Sequence, residues 1–267
     1  RRQRQMCIRD RNKIDYKEIC YSLIDTFPFA GKKSVEMRNE GLITEYKEDN
    51  TPVTNGDIEV NKILSDKLTK ITPNIPLVSE ESTKNKSNNN LTTFWLIDPI
   101  DGTYDYVNNK DEFTINAALI VDKLPTIGLI YAPAKNRMFY TYASGESFEI
   151  INNNEVKLDC KKKTKVNQIK AVHYSDKLKP EIMKLHQKYG VTEHHRMKSS
   201  LKFCVIAASE YDIYISEPRA SEWDIAAGHA ILQNAGGIVT DFENNQITYG
   251  KKDFINPSLI LRRGDNL

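Results

Sequence analysis

The stretch WLIDPIDGT at residues 95–103 carries the strongest structural and chemical signal in this chain of 267 residues. Its apolar beginning predicts a buried β-strand, and Asp98 and Asp101 follow where that strand ends. Pro99 fixes the backbone φ between them, so we expect a turn that presents oxygen atoms to one point. Hard divalent cations such as Mg²⁺ prefer carboxylate, carbonyl and water oxygens, and this turn offers both aspartates with the Ile100 carbonyl between them.

The residues around this turn also bear on phosphate chemistry. Gly102 has no side chain to keep a phosphate away from the backbone amides of Gly102 and Thr103. Asp-Gly and X-Pro pairs are also common in ordinary solvated turns, so the hexapeptide by itself leaves that alternative open. Aspartyl-phosphate phosphatases place one residue between their two aspartates, whereas two residues separate Asp98 from Asp101. The spacing therefore argues against a covalent aspartyl-phosphate mechanism.

Further acidic residues lie at predicted strand ends or helix starts. Glu80 and Glu81 follow the apolar run IPLVS, although such an acidic pair is usually solvated. Thr54 with Asp57 three residues later predicts a capping box, which places Asp57 in the first turn of a helix. Asp224 opens an apolar helix pattern and could face a metal or simply favour the helix N-terminus. Together, these positions are what a carboxylate-lined metal site requires.

The apolar pattern predicts two parts of the chain with a boundary near residue 155. In the part from 12 to 155, we expect two helical segments interrupted at Pro28, then the capped helix, then the strands of one sheet. The runs that predict these strands are IPLVS, TFWLIDP, FTINAALIVD, PTIGLIYAP and RMFYTYA. The polar runs KNKSNNN at residues 84–90 and NNN at 152–154 predict a surface loop and a turn.

The second part, residues 156–267, alternates helices and strands. Helices are expected near 178–189, at 201–210 and at 223–234, and strands at YDIYI and GIVTD. This pattern, after the strand-rich first part, indicates an α/β fold of mixed α+β type.

Composition excludes several classes of protein. Apolar residues make up 39% of the chain and charged residues 28%, which excludes a disordered chain. No run approaches the roughly 20 apolar residues of a membrane-spanning helix, so no transmembrane segment is expected. Residues 1–11, RRQRQMCIRDR, hold five arginines and one aspartate; subtracting them from totals of 38 and 36 leaves 33 basic and 35 acidic residues. We expect that opening to be a non-native or disordered extension, and the body of the chain to bind no nucleic-acid polymer.

Cysteine and histidine usage adds no competing site. Four cysteines without a CxxC pair indicate a reducing compartment, so we expect a cytoplasmic protein. Nucleotide P-loop, GxGxxG, GxSxG and HExxH motifs are absent from the sequence, and the five histidines lack metal-ligand spacing. We expect His194 and His195 at the surface or in packing, and His229 in the core.

Three signatures resemble, in order and spacing, those of the inositol monophosphatase superfamily of lithium-sensitive, magnesium-dependent phosphomonoesterases. They are SEES at 79–82, WLIDPIDGT at 95–103 and EWDIAAGHAILQNAGG at 222–237. Further stretches resemble the CysQ family of bacterial 3'(2'),5'-bisphosphate nucleotidases within it: DNTPVTNGDIEVN, TPNIPLVSEES, DEFTINAALI, GLIYAPA, SSLKFCVIA and FINPSL. The resemblance covers nearly everything from residue 13 to the end.

The resemblance implies a layered αβαβα sandwich of two subdomains with the site between them, two or three Mg²⁺ ions, and inhibition by lithium. The implied metal ligands are Glu80, Asp98, the Ile100 carbonyl, Asp101 and Asp224. The implied catalytic residues, which hold or activate the attacking water, are Asp57, Glu80 and Thr103. The implied substrate contacts are Gly102, Thr103, Ser199, Lys202 and Asp224.

The same resemblance implies hydrolysis of adenosine 3',5'-bisphosphate to AMP and phosphate, a clearing step in sulfur metabolism. Two departures from the family pattern bear on the substrate. Ser216 stands where relatives carry an arginine, with Arg219 three residues on, and Tyr104-Asp105-Tyr106 replaces the usual Lys-Glu-Phe. An inositol or related sugar phosphate therefore stays open as the alternative substrate, as does a non-catalytic phosphate-binding role. Relatives occur as monomers and as homodimers.

Overall fold

A computed structural model describes residues 15–47, 51–82, 91–161 and 168–264. The expected extension at residues 1–11, with Cys7, and the expected loop at 84–90 lie outside these ranges. Cys20, Cys160 and Cys204 are buried, free thiols. Within the described ranges, every helix is too short or too polar to cross a membrane.

Three helices and a small hairpin precede the main sheet. They are α1 (Tyr16–Ile24), α2 (Thr26–Glu40), β1 (Thr44–Tyr46), β2 (Pro52–Thr54) and α3 (Asn55–Ile71). The first two helices separate at Asp25, so the prediction of an interruption at Pro28 is wrong. Pro28 lies in the first turn of α2, where backbone N–H groups have no partner within the helix and proline is tolerated.

A seven-stranded sheet follows, and it confirms that the five apolar runs belong to one sheet. Its strands are β3 (Leu77–Ser79), β4 (Phe94–Asp101), β5 (Thr114–Val121), β6 (Leu124–Ala132), β7 (Arg137–Ala143), β8 (Glu146–Ile151) and β9 (Asn154–Lys157). They lie in chain order, parallel between β3 and β4 and antiparallel elsewhere. The short helix α4 (Thr103–Val107) interrupts the series after β4. Residues 152 and 153 form the expected turn before β9.

A second, five-stranded sheet is mixed. It comprises β10 (Ile169–His173), β11 (Val191–Arg196), β12 (Ile213–Ser216), β13 (Ile238–Thr240) and β14 (Leu259–Arg262) in the order β11-β10-β12-β14-β13. The predicted helices are present as α5 (Pro180–Lys188), α6 (Leu201–Ala207) and α7 (Glu222–Asn234). Helix α6 ends before the predicted residue 210, because the chain turns at Ser209 with a φ of 61°.

These elements form five layers, which confirms the αβαβα sandwich. Helices α1, α2 and α3 cover one face of the seven-stranded sheet, and α6 and α7 lie between the two sheets. Helix α5 covers the outer face of the five-stranded sheet. Because α7 packs against β6 of one sheet and β13 of the other, the sheets share one central core, and the expected boundary near residue 155 stays a prediction.

Burial on both faces explains the near-continuous apolar strands. In β4, Trp95 and Ile97 pack towards the outer helices, whereas Phe94 and Leu96 face the central core. This alternation is the two-residue period of a strand, and full burial of each such side chain stabilises the fold by about 1.5–3 kcal/mol. The Trp95 indole N–H donates to the Thr72 hydroxyl at 2.9 Å, so its one polar group is satisfied in the core.

A close approach between β6 and α7 sets the position of the latter. A Cβ atom added at Gly128 would lie 2.3 Å from the Ala227 carbonyl oxygen, so only glycine fits there. Helix α7 therefore rests directly on the backbone of β6. This contact matters for function because α7 begins with Asp224 in its first turn.

The histidines divide as expected between surface and core. His194 and His195 are exposed on the edge strand β11. His229 is buried, and its Nδ1 shares a 2.8 Å hydrogen bond with the Tyr249 hydroxyl. Burial lowers the pKa of His229 to about 3.

The His229 side chain should make the protein sensitive to acid. Its folded pKa is below the unfolded value of about 6.5, so the unfolded state binds the extra proton first and stability falls below pH 6.5. Between pH 6.5 and pH 5 the free energy of unfolding should fall by about 2 kcal/mol from this group. Urea unfolding of the wild type and of His229→Gln at both pH values measures this change in the free energy of unfolding. Equal pH dependence of the two proteins would contradict the assignment.

Candidate active site

The two aspartates of the central motif reach the same region because β4 bulges at its end. Asp98 pairs with Asn116 of β5 and Asp101 with Thr114, so three steps along β4 match two along β5. In a regular strand, residues three apart point to opposite faces, and the extra residue of a bulge brings them back to one side. Gly102 follows with a φ of 97°, and a Cβ there would lie 2.8 Å from the Glu112 carbonyl oxygen.

Asp98 lies at the centre of a group of carboxylates that repel one another. It is buried, and its Oδ1 has no hydrogen-bond partner within the described ranges. Burial raises the pKa of Asp98 well above its usual value, and the charges of Glu80, Asp101 and Asp224 raise it further. Removal from water likewise raises the pKa of Asp101 and of Asp224. Such a cluster is stable in its ionised form only with positive charge beside it.

Glu80 and Glu81 follow β3 as predicted. The Glu80 backbone N–H donates to the Ile97 carbonyl of β4 at 3.1 Å, which places Glu80 beside the bulged motif. Lys47, from the end of the β1–β2 hairpin, donates to a carboxylate oxygen of each glutamate at 2.9 Å. Sequence reasoning missed Lys47, since a single lysine in a polar stretch carries no pattern that marks it.

Asp57 and Thr103 are brought together as predicted. The capping box is present, and Asp57 Oδ2 accepts from the Thr54 backbone N–H at 2.8 Å and the Thr54 hydroxyl at 2.6 Å. The Thr103 hydroxyl lies 3.4 Å from Asp57 Oδ1 and 3.1 Å from the Ile100 carbonyl oxygen. Burial raises the pKa of Asp57 to about 6, against the opposing effect of the Thr54 hydrogen bonds.

The two acidic residues in the first turn of α7, Asp224 and Glu222, make different contacts. Asp224 Oδ2 accepts the Ser221 backbone N–H at 2.8 Å, and its charge acts on Asp98. Glu222 instead accepts backbone N–H groups of Gly250 at 2.8 Å and Lys251 at 2.9 Å, inside the protein. Glu222 therefore holds a loop in place, and Asp224 is the residue directed to the carboxylate cluster.

The carboxylate cluster fits a hard divalent cation. Within the described ranges, no group of three or more Asp, Glu, His or Cys side chains is close enough together to hold a metal ion by itself. Mg²⁺ needs no such group, because it keeps several water ligands and takes one or two carboxylates. The buried Asp98 Oδ1 supplies an oxygen that no residue in the described part of the chain bonds, and the Ile100 carbonyl lies between the two aspartates of the motif.

A cavity of about 330 Å³ opens beside the cluster. The predicted residues that line it are Asp101, Gly102, Ser199, Lys202 and Asp224. Asp57, Glu80, Asp98 and Thr103 lie next to these residues but do not line the cavity itself. Ser200, which also lines the cavity, connects the C-terminal half of the chain to the motif. Its backbone N–H donates to Asp101 Oδ2, and its hydroxyl donates to Asn116 Oδ1 at 2.7 Å.

Three cations, Lys198, Lys202 and Arg219, also line the cavity. The Lys202 ammonium donates to the Ser199 carbonyl, and removal from water lowers the pKa of Lys202 to about 8. The Arg219 guanidinium lies 3.9 Å from the centre of the Tyr174 ring. The structure thus places Arg219 on the cavity wall, whereas Ser216 is buried in β12.

The third cation, Lys198, lies beside Tyr104, the first of three residues that differ from the family pattern. Its ammonium donates to Asp105 Oδ1 at 2.9 Å and lies 5.3 Å from the centre of the Tyr104 ring. A positive charge from another segment of the chain therefore lies beside Tyr104. Sequence reasoning missed this residue because the two segments are far apart in the chain.

Known proteins resemble this chain over most of its length. Residues 27–265 match the family described as the inositol monophosphatase family. The 3'(2'),5'-bisphosphate nucleotidase CysQ of Aggregatibacter actinomycetemcomitans is 32% identical over 224 residues, 82% of this chain and 83% of that protein. CysQ of Buchnera aphidicola is 35% identical over 222 residues, 79% of this chain and 80% of that protein. The crystal structure of CysQ from Bacteroides thetaiotaomicron has a TM-score of 0.76 at 26% identity and covers 93% of this chain and 97% of that chain.

Proposed function

The chain belongs to the inositol monophosphatase family, and from this premise we propose that it is a magnesium-dependent phosphatase that removes the 3'-phosphate of adenosine 3',5'-bisphosphate. The products are AMP and inorganic phosphate. The observation that carries the proposal is that one cavity is lined by both acidic and basic side chains. Asp101 and Asp224 are the acidic residues, and Lys198, Lys202 and Arg219 are the basic ones. A metal site beside a site for another anion suits a substrate with two phosphates.

The metal is held by oxygens of the carboxylate cluster. The proposed ligands are Glu80, Asp98, the Ile100 carbonyl, Asp101 and Asp224. When bound, magnesium lowers the pKa of water, neutralises phosphate charge and stabilises the leaving oxygen. Such help is needed because phosphate-monoester hydrolysis without a catalyst is among the slowest reactions known.

Asp57 and Thr103 position and deprotonate the attacking water in this proposal. Thr54 holds one oxygen of the Asp57 carboxylate, which leaves Oδ1, near the Thr103 hydroxyl, to accept a proton. A base with a pKa of about 6 is well matched to neutral pH. The water oxygen forms a bond to phosphorus as the bond from phosphorus to the ribose 3'-oxygen breaks. Asp57 takes a proton from the attacking water, with Glu80 sharing the activation, and the departing 3'-oxygen takes a proton from solvent water.

The three cations that line the cavity hold the rest of the substrate. Lys202, with Ser199 beside it, and Arg219 bind the 5'-phosphate and sugar, and Lys198 adds charge at the mouth of the cavity. The Tyr174 ring also lines the cavity, and the Arg219 guanidinium packs on one of its faces, which helps to hold Arg219 in position. The Gly102 and Thr103 amides contact the 3'-phosphate. The alternative substrates, inositol and sugar phosphates, carry no second phosphate for these three cations.

We also propose that two or three magnesium ions bind, that the enzyme acts in the cytoplasm, and that it is a monomer or homodimer. The number of ions rests on the resemblance to the inositol monophosphatase family. The cytoplasmic location rests on free thiols at Cys20, Cys160 and Cys204, which suit a reducing compartment. Two subdomains that meet near residue 155 would place the site between them.

Lys202 should distinguish substrates with two phosphates from those with one. In Lys202→Met, the KM for adenosine 3',5'-bisphosphate should rise about 10- to 100-fold, because a charged hydrogen bond contributes about 1.5–3 kcal/mol. Adenosine 3'-monophosphate should lose little in kcat/KM. Steady-state phosphate release with both substrates tests this, with Lys32→Met on the surface of α2 as control. An equal loss on both substrates would contradict the assignment.

A further inference from the structure

Lys47 makes an ion-pair contact that the proposed mechanism does not use. Its ammonium lies 2.9 Å from oxygens of both Glu80 and Glu81, although only Glu80 is a proposed metal ligand. The Glu81 side chain is 4% exposed and that of Lys47 27% exposed, so the pair lies mostly away from water. The lysine thus has one partner inside the metal site and one outside it.

Glu80 is the carboxylate through which Lys47 acts on the whole cluster. The Glu80 backbone N–H donates to the Ile97 carbonyl at 3.1 Å, which places Glu80 directly beside Asp98 of the cluster. A cation that neutralises Glu80 therefore lies within electrostatic range of the same point that a metal ion would occupy. Two cations so close together repel each other; for comparison, a charge within about 4–6 Å of an ionisable group shifts its proton equilibrium by about one to three powers of ten.

The local structure allows the lysine to change partner. Lys47 follows β1, and β1 and β2 form a two-stranded sheet of three residues each that joins neither main sheet. Such a hairpin has little stability of its own. The four-carbon stem of a lysine also lets its ammonium turn without a change in the backbone.

We propose that Lys47 is an internal cation that competes with magnesium for Glu80. Metal binding releases the ammonium from Glu80, and Glu81 retains it at the edge of the site. Lys47 therefore weakens metal affinity and holds Glu80 in place while the cluster carries no metal. This inference rests on the proposed metal site.

Calorimetric titration of magnesium into the metal-free, full-length protein tests the competition. Lys47→Met should bind Mg²⁺ at least about tenfold more tightly than the wild type, because it removes a positive charge beside the site. Lys47→Arg keeps the charge and should stay within about twofold of the wild type. Lys32→Met is the matched control, since Lys32 is 78% exposed and pairs only loosely with Glu36 at 3.8 Å.

Chemical labelling gives a second readout that does not depend on activity. An ammonium held between two carboxylates reacts slowly with an acylating reagent, and release from Glu80 should expose it. Mass spectrometry should therefore show Lys47 acylated several-fold faster at saturating magnesium, while Lys32 reacts at an unchanged rate.

The outcomes separate this inference from the function on which it rests. Unchanged or weaker binding by Lys47→Met, with normal binding by the wild type, would overturn the role of Lys47 alone. Labelling of Lys47 that does not respond to magnesium would overturn it as well. A folded wild-type protein that binds no magnesium would overturn the proposed function, and the competition with it.

Discussion

Replacing Asp98 with asparagine should lower magnesium-dependent phosphate release by at least about 1,000-fold, a loss of about 4 kcal/mol of transition-state stabilisation. Asp98 is buried at the bulged end of β4, and its Oδ1 has no partner within the described ranges. An amide in the same place removes the charge that a divalent cation needs. Calorimetry should show the loss of magnesium binding together with the loss of rate.

The same substitution should stabilise the metal-free protein. Folding raises the pKa of Asp98, so at neutral pH the ionised side chain opposes folding, and asparagine removes that cost. Thermal unfolding in a chelator should give a higher Tm for Asp98→Asn than for the wild type. Asp66→Asn, on the exposed side of α3, is the control and should change neither rate nor Tm. Unchanged phosphatase activity in Asp98→Asn would mean that the site assignment is wrong.

Asp57→Asn should lower kcat by about 100- to 10,000-fold with little effect on magnesium affinity. A positioned general base contributes an effect of about this size. Asparagine can still accept the Thr54 backbone N–H through its amide oxygen, so the start of α3 should keep its cap. Steady-state rates and calorimetric magnesium titration, run on the same preparations, measure the two effects separately.

The contrast with Asp98 makes the Asp57 result decisive. If Asp57→Asn lost magnesium binding as completely as Asp98→Asn, Asp57 would be a ligand and not a base. If its kcat were unchanged, the attacking water would be held elsewhere. Thr103→Ala, which removes the hydroxyl 3.4 Å from Asp57, should show a smaller loss of the same kind.

Many of the strands and helix ends follow from local patterns in the sequence. Apolar runs of strand length predicted the large sheet, because both of its faces are buried and the apolar residues of β4 and β5 therefore follow one another without polar alternation, as in FWLI and AALIV. The capping box at Thr54 and Asp57 was predictable because it involves neighbours only. Strands β10, β11 and β14 were not anticipated. The edge strand β11, for example, reads VTEHHR and has no apolar alternation.

The candidate site was predictable only where its residues belong to motifs. The spacing of Asp98 and Asp101 indicated metal chemistry, but the bulge that brings them together depends on the register with β5. Lys47 and Lys198 depend on contacts between distant segments, and neither stands in a pattern of its own. The prediction at Pro28 failed for another reason. Proline interrupts a helix only in its interior, and Pro28 lies in the first turn of α2.

Phosphate release by the wild-type protein with magnesium, from adenosine 3',5'-bisphosphate and from inositol 1-phosphate at equal low concentrations, tests the central claim most directly. The cavity, which is lined by Asp101 and Asp224 of the carboxylate cluster and by three cations, predicts at least about a 100-fold preference in kcat/KM for the nucleotide, or about 2.7 kcal/mol. Preference for inositol 1-phosphate would contradict the proposed substrate. Failure to release phosphate from either compound would contradict the proposed chemistry as well.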